Sequence, residues 1–266
     1  MQISRHFPKL AILALAAAYT VGAQANQLED IQKKGEITIG VDISAPPYGM
    51  VDANAKQTGF DIDSAHLLAD ALGVKLTVVP VTGPTRVQFL RTKKVDLIMA
   101  SFSITDERKK VIDFSQPYGV VPVVVGGPEK VKVSGPADLA GKAIAVTRGT
   151  TSDKAITDST KGVSGVSIVR YQDDATTNTA VMTGQQQYIV AASSVLPEIK
   201  KTSPKTDIGY KYTAVSFPMG VGIRQNEPEL KARINQWVET NLKNGKLNAI
   251  YKTYFFGQSL PEAMLK

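Results

Sequence analysis

The stretch from Ser101 to Arg108 places a cation near the start of a predicted short helix. Thr105 suits the N-cap position, and Asp106 and Glu107 suit the positive end of a helix dipole. Arg108 then falls at about the third helical position, where a cation faces the wrong pole at a cost of about 0.3–1 kcal/mol. This unfavourable position indicates that Arg108 has a task other than supporting the helix.

The chemistry available to Arg108 is carboxylate binding. Its guanidinium is a planar fork of donors that fits a carboxylate. A predicted buried strand ends beside it and brings the hydroxyl and backbone groups of Ser101 and Ser103 to the same place. The alternative interpretation is a surface arginine that only pairs with Asp113 or Glu107.

A second possible anion site lies in residues 146–152, VTRGTTS. The pattern is strand, glycine turn and hydroxyl-rich helix start, and the free N–H groups of a helix N-terminus attract anions. Thr150 and Thr151 would donate there, with Arg148 just before the turn. The alternative is an ordinary capped strand–helix turn. Together with Arg108, this segment would hold a carboxylate from two sides.

Most catalytic and metal-binding constellations are missing from the chain. It has no cysteine, and His66 is the one histidine after residue 25. Thiolate chemistry, disulfides and histidine-rich zinc sites are therefore excluded. Residues 135–142, GPADLAGK, miss the spacing of a phosphate-binding loop. We expect no metal, no cofactor and no enzymatic activity.

Residues 1–25 have the layout of a cleaved signal peptide. A basic start is followed by the apolar run 10–21 and by small residues before Asn26. An uncleaved membrane anchor is the alternative, but about 12 apolar residues are too few to span ~30 Å of hydrocarbon. We predict an exported, soluble mature protein that begins at Asn26.

The net charge of the mature protein favours an anionic small ligand. The formal charge is +7, and removing residues 1–25 leaves 29 Lys and Arg against 24 Asp and Glu. These cations are spread along the chain, without the basic blocks that nucleic-acid binding needs. We therefore expect no nucleic-acid partner, and a basic surface that suits a carboxylated solute.

The elements that must position these residues alternate between strand and helix. Period-2 and buried apolar runs predict strands at 36–41, 74–79, 95–100, 143–148, 166–170 and 187–191. Helical spacing predicts helices at 61–72, 85–92, 151–159, 174–183, 227–244 and 246–254. This order indicates an α/β fold with parallel sheets flanked by helices.

Two long β-prone runs, 118–126 and 212–223, bracket the middle of the chain and predict two crossovers between lobes. We assign 26–121 and 215–266 to lobe 1 and 122–214 to lobe 2. Ligands in open α/β sheets bind at the carboxyl ends of strands, so the cleft between the lobes is the expected site.

Seven stretches in this order resemble the periplasmic substrate-binding proteins of polar-amino-acid ABC transporters, over nearly all of 28–257. They are Asp42 with Pro46-Pro47-Tyr48, 59–63, 95–98, 103–108, 113–118, 149–152 and 220–223. The resemblance implies a type II periplasmic binding protein fold, with two hinge strands and lobes that close on the ligand. It also implies a monomer that delivers an amino acid to an inner-membrane ABC permease.

The resemblance assigns roles to particular residues. Arg108 would grip the α-carboxylate, and Thr151, after the glycine turn, would complete that grip. Ser101 and Ser103 would bond the α-amino and α-carboxyl groups, and Asp42 would lie beside the ammonium. Tyr48 is a nearby aromatic residue for the side-chain pocket.

One departure concerns the ammonium. The family usually has an Asp before the second hinge that pairs with it, and Ala192 stands there in this chain. An unpaired ammonium in a closed cleft would cost several kcal/mol. Either Asp42 and neighbouring hydroxyls carry the ammonium, or the ligand is an amino-acid derivative that lacks a free one.

The side-chain pocket suggests an acidic ligand. Ala45 and Gly83 occupy positions where relatives often have a sandwiching aromatic. Arg86 matches an arginine that reaches the side-chain carboxylate in acidic-amino-acid binders, and Arg148 could face the cleft; surface exposure is the alternative for both. Two spare cations without a spare acid favour aspartate or glutamate.

Two other functions remain open. A few relatives, such as cyclohexadienyl dehydratases, use this cleft for elimination with a carboxylate as general acid, which requires a raised pKa. A ligand-sensing domain of a receptor is the other. We expect neither, because Ala192 removes one candidate acid and no transmembrane helix follows residue 257.

Overall fold

The computed structural model describes residues 26–265. The predicted signal peptide, 1–25, lies outside the described residues. Within 26–265, no helix combines the length and the apolar character needed to cross a membrane.

The first part of the chain contributes a series of short strands and helices to one sheet. Its elements in order are α1 (Gln27–Lys34), β1 (Glu36–Val41), β2 (Met50–Val51), β3 (Gln57–Thr58), α2 (Phe60–Leu72), β4 (Lys75–Pro80), α3 (Arg86–Arg91), β5 (Leu97–Ile98), α4 (Asp106–Lys109) and β6 (Asp113–Phe114). Gly73 ends α2 in the left-handed conformation, with φ 70°, as the sequence predicts.

The middle of the chain forms a second set of strands and helices. It contains β7 (Gly119–Gly127), a 3-10 turn (Pro136–Leu139), β8 (Ala143–Thr147), α5 (Thr151–Ser159), β9 (Ser167–Tyr171), α6 (Asp174–Met182), β10 (Tyr188–Ala192), α7 (Val195–Thr202) and β11 (Gly209–Met219). The last part returns to the first sheet with β12 (Gly222–Ile223), α8 (Pro228–Lys243), α9 (Lys246–Tyr254) and α10 (Glu262–Leu265).

Two five-stranded sheets define the two lobes. The sheet of lobe 1 has the order β4-β1-β5-β12-β6, and that of lobe 2 has the order β11-β7-β10-β8-β9. The β1/β4, β1/β5, β8/β9 and β8/β10 pairs are parallel. β12 runs antiparallel to its neighbours, and so does β7. The sheets are thus mixed rather than purely parallel, because the crossover strands and the returning chain reverse direction.

The predicted crossovers are the strands β7 and β11. They pair antiparallel from Gly119 opposite Met219 to Gly127 opposite Gly209. At the lobe 1 end, the Tyr118 N–H donates to the Met219 carbonyl oxygen at 3.0 Å. The lobe boundaries predicted at 121 and 214 fall inside these two strands and stay predictions.

Each lobe has its own buried apolar residues. In lobe 1, Trp237, Phe60 and Tyr118 are among the largest fully buried side chains. The rings of Phe60 and Tyr118 stack with centroids 5.8 Å apart, so Phe60 belongs to the core. In lobe 2, Ile144 and Val146 of β8 pack in one cluster beneath α5. Separate cores let each lobe hold its shape while the two crossover strands bend.

Candidate functional site

The lobes meet around a small cavity of about 50 Å³. Seven residues predicted for the site line it: Asp42, Tyr48, Arg86, Ser101, Thr150, Thr151 and Ala192. Ala45 and Gly83, the two positions where the resemblance implies an aromatic residue in relatives, also line it. The cavity is far smaller than the 300–1,000 Å³ of ordinary ligand pockets, so the lobes are closed on one another here.

Arg108 lies at a larger cavity, of about 1170 Å³, that shares Thr150 and Thr151 with the small one. Its Nη1 donates to the Ser103 carbonyl oxygen at 2.7 Å, and its guanidinium lies 4.7 Å from the Phe102 ring centroid. Within residues 26–265, its Nε and Nη2 have no hydrogen-bond partner. Part of the fork is therefore available to a carboxylate.

The alternative role for Arg108, as one half of a surface ion pair, is wrong. Glu107 pairs with Lys154 at 3.3 Å, and Asp113 pairs with Lys231 at 3.2 Å. Arg108 has no acidic partner within 4.0 Å in the described part of the chain. Burial, followed by the positive charge of Arg86, lowers the pKa of Arg108. The guanidinium still stays charged, because its ordinary pKa is so high.

Ser101 is held in an unusual backbone conformation at the cleft. Its φ is 44°, which is uncommon for a residue with a side chain. The Ser101 N–H donates to Asp61 Oδ2 at 2.6 Å, and the Tyr118 hydroxyl donates to Asp61 Oδ1 at 2.8 Å. Asp61 is fully buried, and that burial raises its pKa to about 7. A buried carboxyl group thus fixes the direction in which Ser101 presents its hydroxyl.

Hydroxyl groups from both lobes meet beside Arg108. Ser103 of lobe 1 and Thr151 of lobe 2 form a hydrogen bond of 3.1 Å between their hydroxyls. Thr150 is the N-cap of α5, because its hydroxyl accepts from the Asp153 N–H at 3.2 Å. The predicted turn and helix start are therefore confirmed as elements, and they face the Arg108 segment across the cleft.

Asp42 lies at the end of β1 and is only 2% exposed. Its Oδ1 accepts from the Ser44 N–H at 3.0 Å and from the Ser44 hydroxyl at 2.7 Å. Burial raises the pKa of Asp42, although these bonds and the charge of Arg86 act in the opposite direction. The carboxyl group is desolvated and only partly compensated, so a nearby cation would stabilise its charged form.

Arg86 is buried at the cleft, so the alternative of surface exposure is wrong for this residue. It is 4% exposed, its Nη1 donates to the Ala100 carbonyl oxygen at 2.6 Å, and its guanidinium lies 4.7 Å from the Phe102 ring centroid. Burial lowers its pKa, whereas the charges of Asp42, Asp174 and Asp61 raise it. Its Nε is buried without a hydrogen-bond partner in the described structure. Arg86 has no acidic partner within 4.0 Å in the described residues, but the charges of these three acids act on it.

Asp174 is the residue of the cleft that the sequence analysis missed. It is the first residue of α6, lines the small cavity, and its Oδ1 accepts a hydrogen bond from the Thr147 hydroxyl. Burial and the charge of Asp42 raise its pKa. The expectation that the cleft has no spare acid is therefore wrong. Its position after a parallel strand, at a helix start, could have revealed it.

Of the remaining predicted residues, Tyr48 and Ala192 line the small cavity, whereas Arg148 lies outside both cavities. Tyr48 is 2% exposed and packs edge-on against Phe255, with ring centroids 5.2 Å apart, at the floor of the small cavity. Ala192 is the last residue of β10, at the lobe 2 wall. Arg148 is exposed and lines neither cavity described above. Arg148 is therefore not among the residues that the structure brings together at the cleft.

Known proteins with this architecture identify the class. The profile of the "Bacterial extracellular solute-binding proteins, family 3" matches residues 37–258. The L-arginine-binding protein of Pseudomonas aeruginosa is 31% identical over 230 residues, which cover 82% of this chain and 87% of that protein. The L-cystine-binding protein TcyJ of Escherichia coli is 28% identical over 252 residues, with coverages of 91% and 92%.

A solved structure extends the comparison to the fold. The crystal structure of the ancestral amino acid-binding protein AncCDT-1, a precursor of cyclohexadienyl dehydratase, superposes with a TM-score of 0.79 and 31% identity. The match covers 86% of this chain and 99% of that one. The chain belongs to the family 3 bacterial extracellular solute-binding proteins, as the resemblance predicted, and it has the two-lobed type II fold.

Proposed function

We propose that this protein captures an amino acid with a free α-ammonium, an α-carboxylate and a side chain that is neutral or cationic. It would then present the closed complex to an inner-membrane ABC permease. The observation that carries the proposal is Arg108, which has no acidic partner in the described residues and lies beside the Ser103–Thr151 contact between the lobes. We further propose export to the periplasm through cleavage before Asn26, and function as a monomer.

The charges of the cleft argue for this ligand class rather than for aspartate or glutamate. The acidic ligand rested on Arg86 and Arg148 as spare cations, but the charges of Asp42, Asp61 and Asp174 already act on Arg86, and Arg148 is exposed. An added side-chain carboxylate would meet these acids in a desolvated cleft, which is costly. The two relatives described above are named for arginine and cystine, which fits a neutral or cationic side chain.

Capture requires the lobes to separate. A cavity of about 50 Å³ cannot admit an amino acid, so the ligand enters while β7 and β11 hold the lobes apart. Closure then places Ser103 and Arg108 of lobe 1 and Thr151 of lobe 2 on the same carboxylate. Binding energy is thereby converted into lobe contact, and the permease can distinguish the loaded form from the empty one.

A cleft-based dehydratase is the second candidate function. Three acids with raised pKa values, the buried Asp42 and Asp61 and the half-buried Asp174, are the kind of group that could act as a general acid. AncCDT-1, to which the chain is similar, is described as both an amino acid-binding protein and a precursor of a dehydratase. Incubation with a cyclohexadienyl acid decides this point, because turnover releases an aromatic product with its own absorbance.

The test of the proposal is binding to purified residues 26–266, refolded from denaturant so that no carried-over ligand remains. Isothermal titration with L-arginine, L-cystine, L-glutamine and L-aspartate should show binding of at least one of the first three. Arg108→Ala should weaken that binding by at least 100-fold, because removing a bidentate partner leaves the carboxylate unpaired in a desolvated site.

Arg91→Ala is the matched control, since Arg91 is exposed on α3. The affinity of this variant for the amino acid should match that of the wild type. Circular dichroism establishes that both variants fold. Binding of L-aspartate alone would overturn the ligand class, and an Arg108→Ala variant that binds within threefold of the wild type would overturn the role of Arg108.

A further inference from the structure

We propose that Asp174, together with Asp42, receives the α-ammonium of the ligand and so supplies the acid that the chain lacks at Ala192. The inference rests on the proposed function, since it presupposes an amino acid in the cleft. Ala192 leaves open which residue pairs with the ammonium. In this proposal the acidic partner lies at the start of α6 instead of at the end of β10.

The placement of three residues carries the first step. Asp42, Asp174 and Ala192 all line the small cavity between the lobes. Asp42 follows β1 in lobe 1, whereas Asp174 begins α6 in lobe 2 and Ala192 ends β10 in lobe 2. Asp174 therefore approaches the ligand from the same lobe as an acid at position 192 would. An ammonium between Asp42 and Asp174 would join the two lobes.

The hydrogen bonds of the two acids leave an oxygen free on each. The bonds to Asp42 and to Asp174 within the described residues all end on Oδ1, from Ser44 and Thr147 respectively. Each Oδ2 remains for a ligand donor. An ammonium carries three donors and no acceptor, so it can bond both carboxylates at once.

The charge balance supplies a second, independent indication of a missing cation. The charged groups that act on Asp174 are Asp42, Arg86 and Asp173. With Asp42 and Asp174 ionised, Arg86 is the one cation among the described residues that line the small cavity, so the cavity would carry a net negative charge. The raised pKa values of the two acids agree with a site that is incomplete without a cation.

The capping role at the start of α6 is already filled by the neighbour of Asp174. The N-cap of α6 is Asp173, whose Oδ1 accepts from the Thr176 N–H at 2.7 Å. Asp174 therefore adds no cap to the helix. What distinguishes it from Asp173 is that its side chain lines the cavity.

The experiment compares four proteins: wild type, Asp174→Asn, Ala192→Asp and the double variant. Asparagine keeps the shape of the side chain and its acceptor oxygen for Thr147. The probes are L-arginine, L-glutamine and L-cystine, each with its Nα-acetylated form, in which the ammonium is replaced by a neutral amide. Asp173→Asn is the control, because asparagine is an equally good N-cap.

We expect Asp174→Asn to weaken binding of the free amino acid by more than tenfold and to change binding of the acetyl derivative little. The double variant should bind within threefold of the wild type, since position 192 again supplies an acid. The Asp173→Asn control should also stay within threefold.

The outcomes separate this inference from the proposed function. If the wild type binds none of the amino acids, the proposed function fails and the inference falls with it. If the wild type binds and Asp174→Asn binds equally well, or loses affinity equally for the free and acetylated forms, the inference alone is overturned. A double variant as weak as Asp174→Asn would overturn the equivalence of positions 174 and 192.

Discussion

At the scale of single residues, Asp61 shows how a buried acid organises a binding site without lining it. It receives the N–H of Ser101 and the hydroxyl of Tyr118, at 2.6 and 2.8 Å. The left-handed backbone of Ser101 is kept in place by this bond and by the surrounding packing, which is how strained conformations persist at functional sites. The position of Ser101 at the cleft therefore depends on a residue that does not itself line the small cavity.

The protonation of Asp61 should make stability depend on pH. Its pKa is about 7 in the fold, against an ordinary value of 3.8, so the folded state binds the proton more tightly than the unfolded state does. Stability is therefore fully present below pH 3.8 and falls as the pH rises towards 7, by up to about 4 kcal/mol from this group.

Urea unfolding of the wild type and of Asp61→Asn, measured from pH 4 to pH 8, checks this. We expect the Asp61→Asn variant to have a flatter profile, because it removes the titrating group while keeping the size of the side chain. Parallel profiles would show that Asp61 is ionised throughout this range.

Residue chemistry was also where the sequence was least informative. Arg108, Ser103 and Thr151 could be predicted because they stand in short motifs, and each stays a candidate at the cleft. The acids whose charges act on Arg86 could not be predicted, because Asp42, Asp61 and Asp174 come from three separate segments of the chain. Without knowing how these segments meet, a buried and balanced arginine cannot be told from a free one.

At the scale of elements, the loop after β4 lies against lobe 2 at Gly83. A Cβ atom built on Gly83 would lie 2.8 Å from Thr150 Cγ2 and 3.4 Å from the Arg148 carbonyl oxygen. Thr150 is β-branched and caps α5, so it has little freedom to move away. The two lobes can therefore close to this distance only if residue 83 has no side chain.

We expect Gly83→Ala to weaken ligand binding by about tenfold, because it penalises the closed form by about 1–2 kcal/mol of overpacking. Its thermal stability without ligand should change little, since the open form carries no clash. Gly135→Ala is the control: a Cβ atom there meets nothing within 4 Å, and its backbone is extended. Equal affinities for both variants would mean that lobe contact at Gly83 does not limit closure.

The elements themselves followed the sequence closely where local signals were strong. The bounds of α5 and α9 are as predicted, because a cap or a glycine marks their starts. The predicted strand at 95–100 narrows to Leu97–Ile98, since Asp96 turns its side chain to the N–H and hydroxyl of Thr38. Helices α1 and α7 escaped prediction because each is only eight residues long, although their few apolar residues recur at helical spacing.

At the scale of the whole molecule, the lobes are connected within residues 26–265 by the two crossover strands, by a few polar contacts and by apolar contacts such as Ala192 against the lobe 1 core. The polar contacts include the Ser103–Thr151 hydrogen bond and the Glu107–Lys154 ion pair, which is exposed and therefore worth at most about 1 kcal/mol. Such contacts cannot hold the lobes together alone. We therefore expect a bound ligand to supply much of the stability of the closed arrangement.

Small-angle X-ray scattering of the refolded protein should therefore show a larger radius of gyration without ligand than with saturating ligand. Arg108→Ala, at the same ligand concentration, should keep the larger value because it cannot retain the carboxylate. An unchanged radius for the wild type on addition of a ligand that binds by titration would contradict closure as the response to binding.

The strand order also has a consequence for the sequence of events during synthesis and export. The strands of lobe 2 form one continuous stretch, from β7 to β11, whereas the sheet of lobe 1 needs β12 between β5 and β6. A chain that emerges from its amino terminus can therefore complete lobe 2 while lobe 1 still lacks an internal strand and helices α8 and α9. Until Gly222 and Ile223 have been synthesised, the edges of β5 and β6 that pair with β12 stay unpaired and can pair with another chain. We therefore expect the risk of aggregation to be greatest while the last fifth of the chain is still missing.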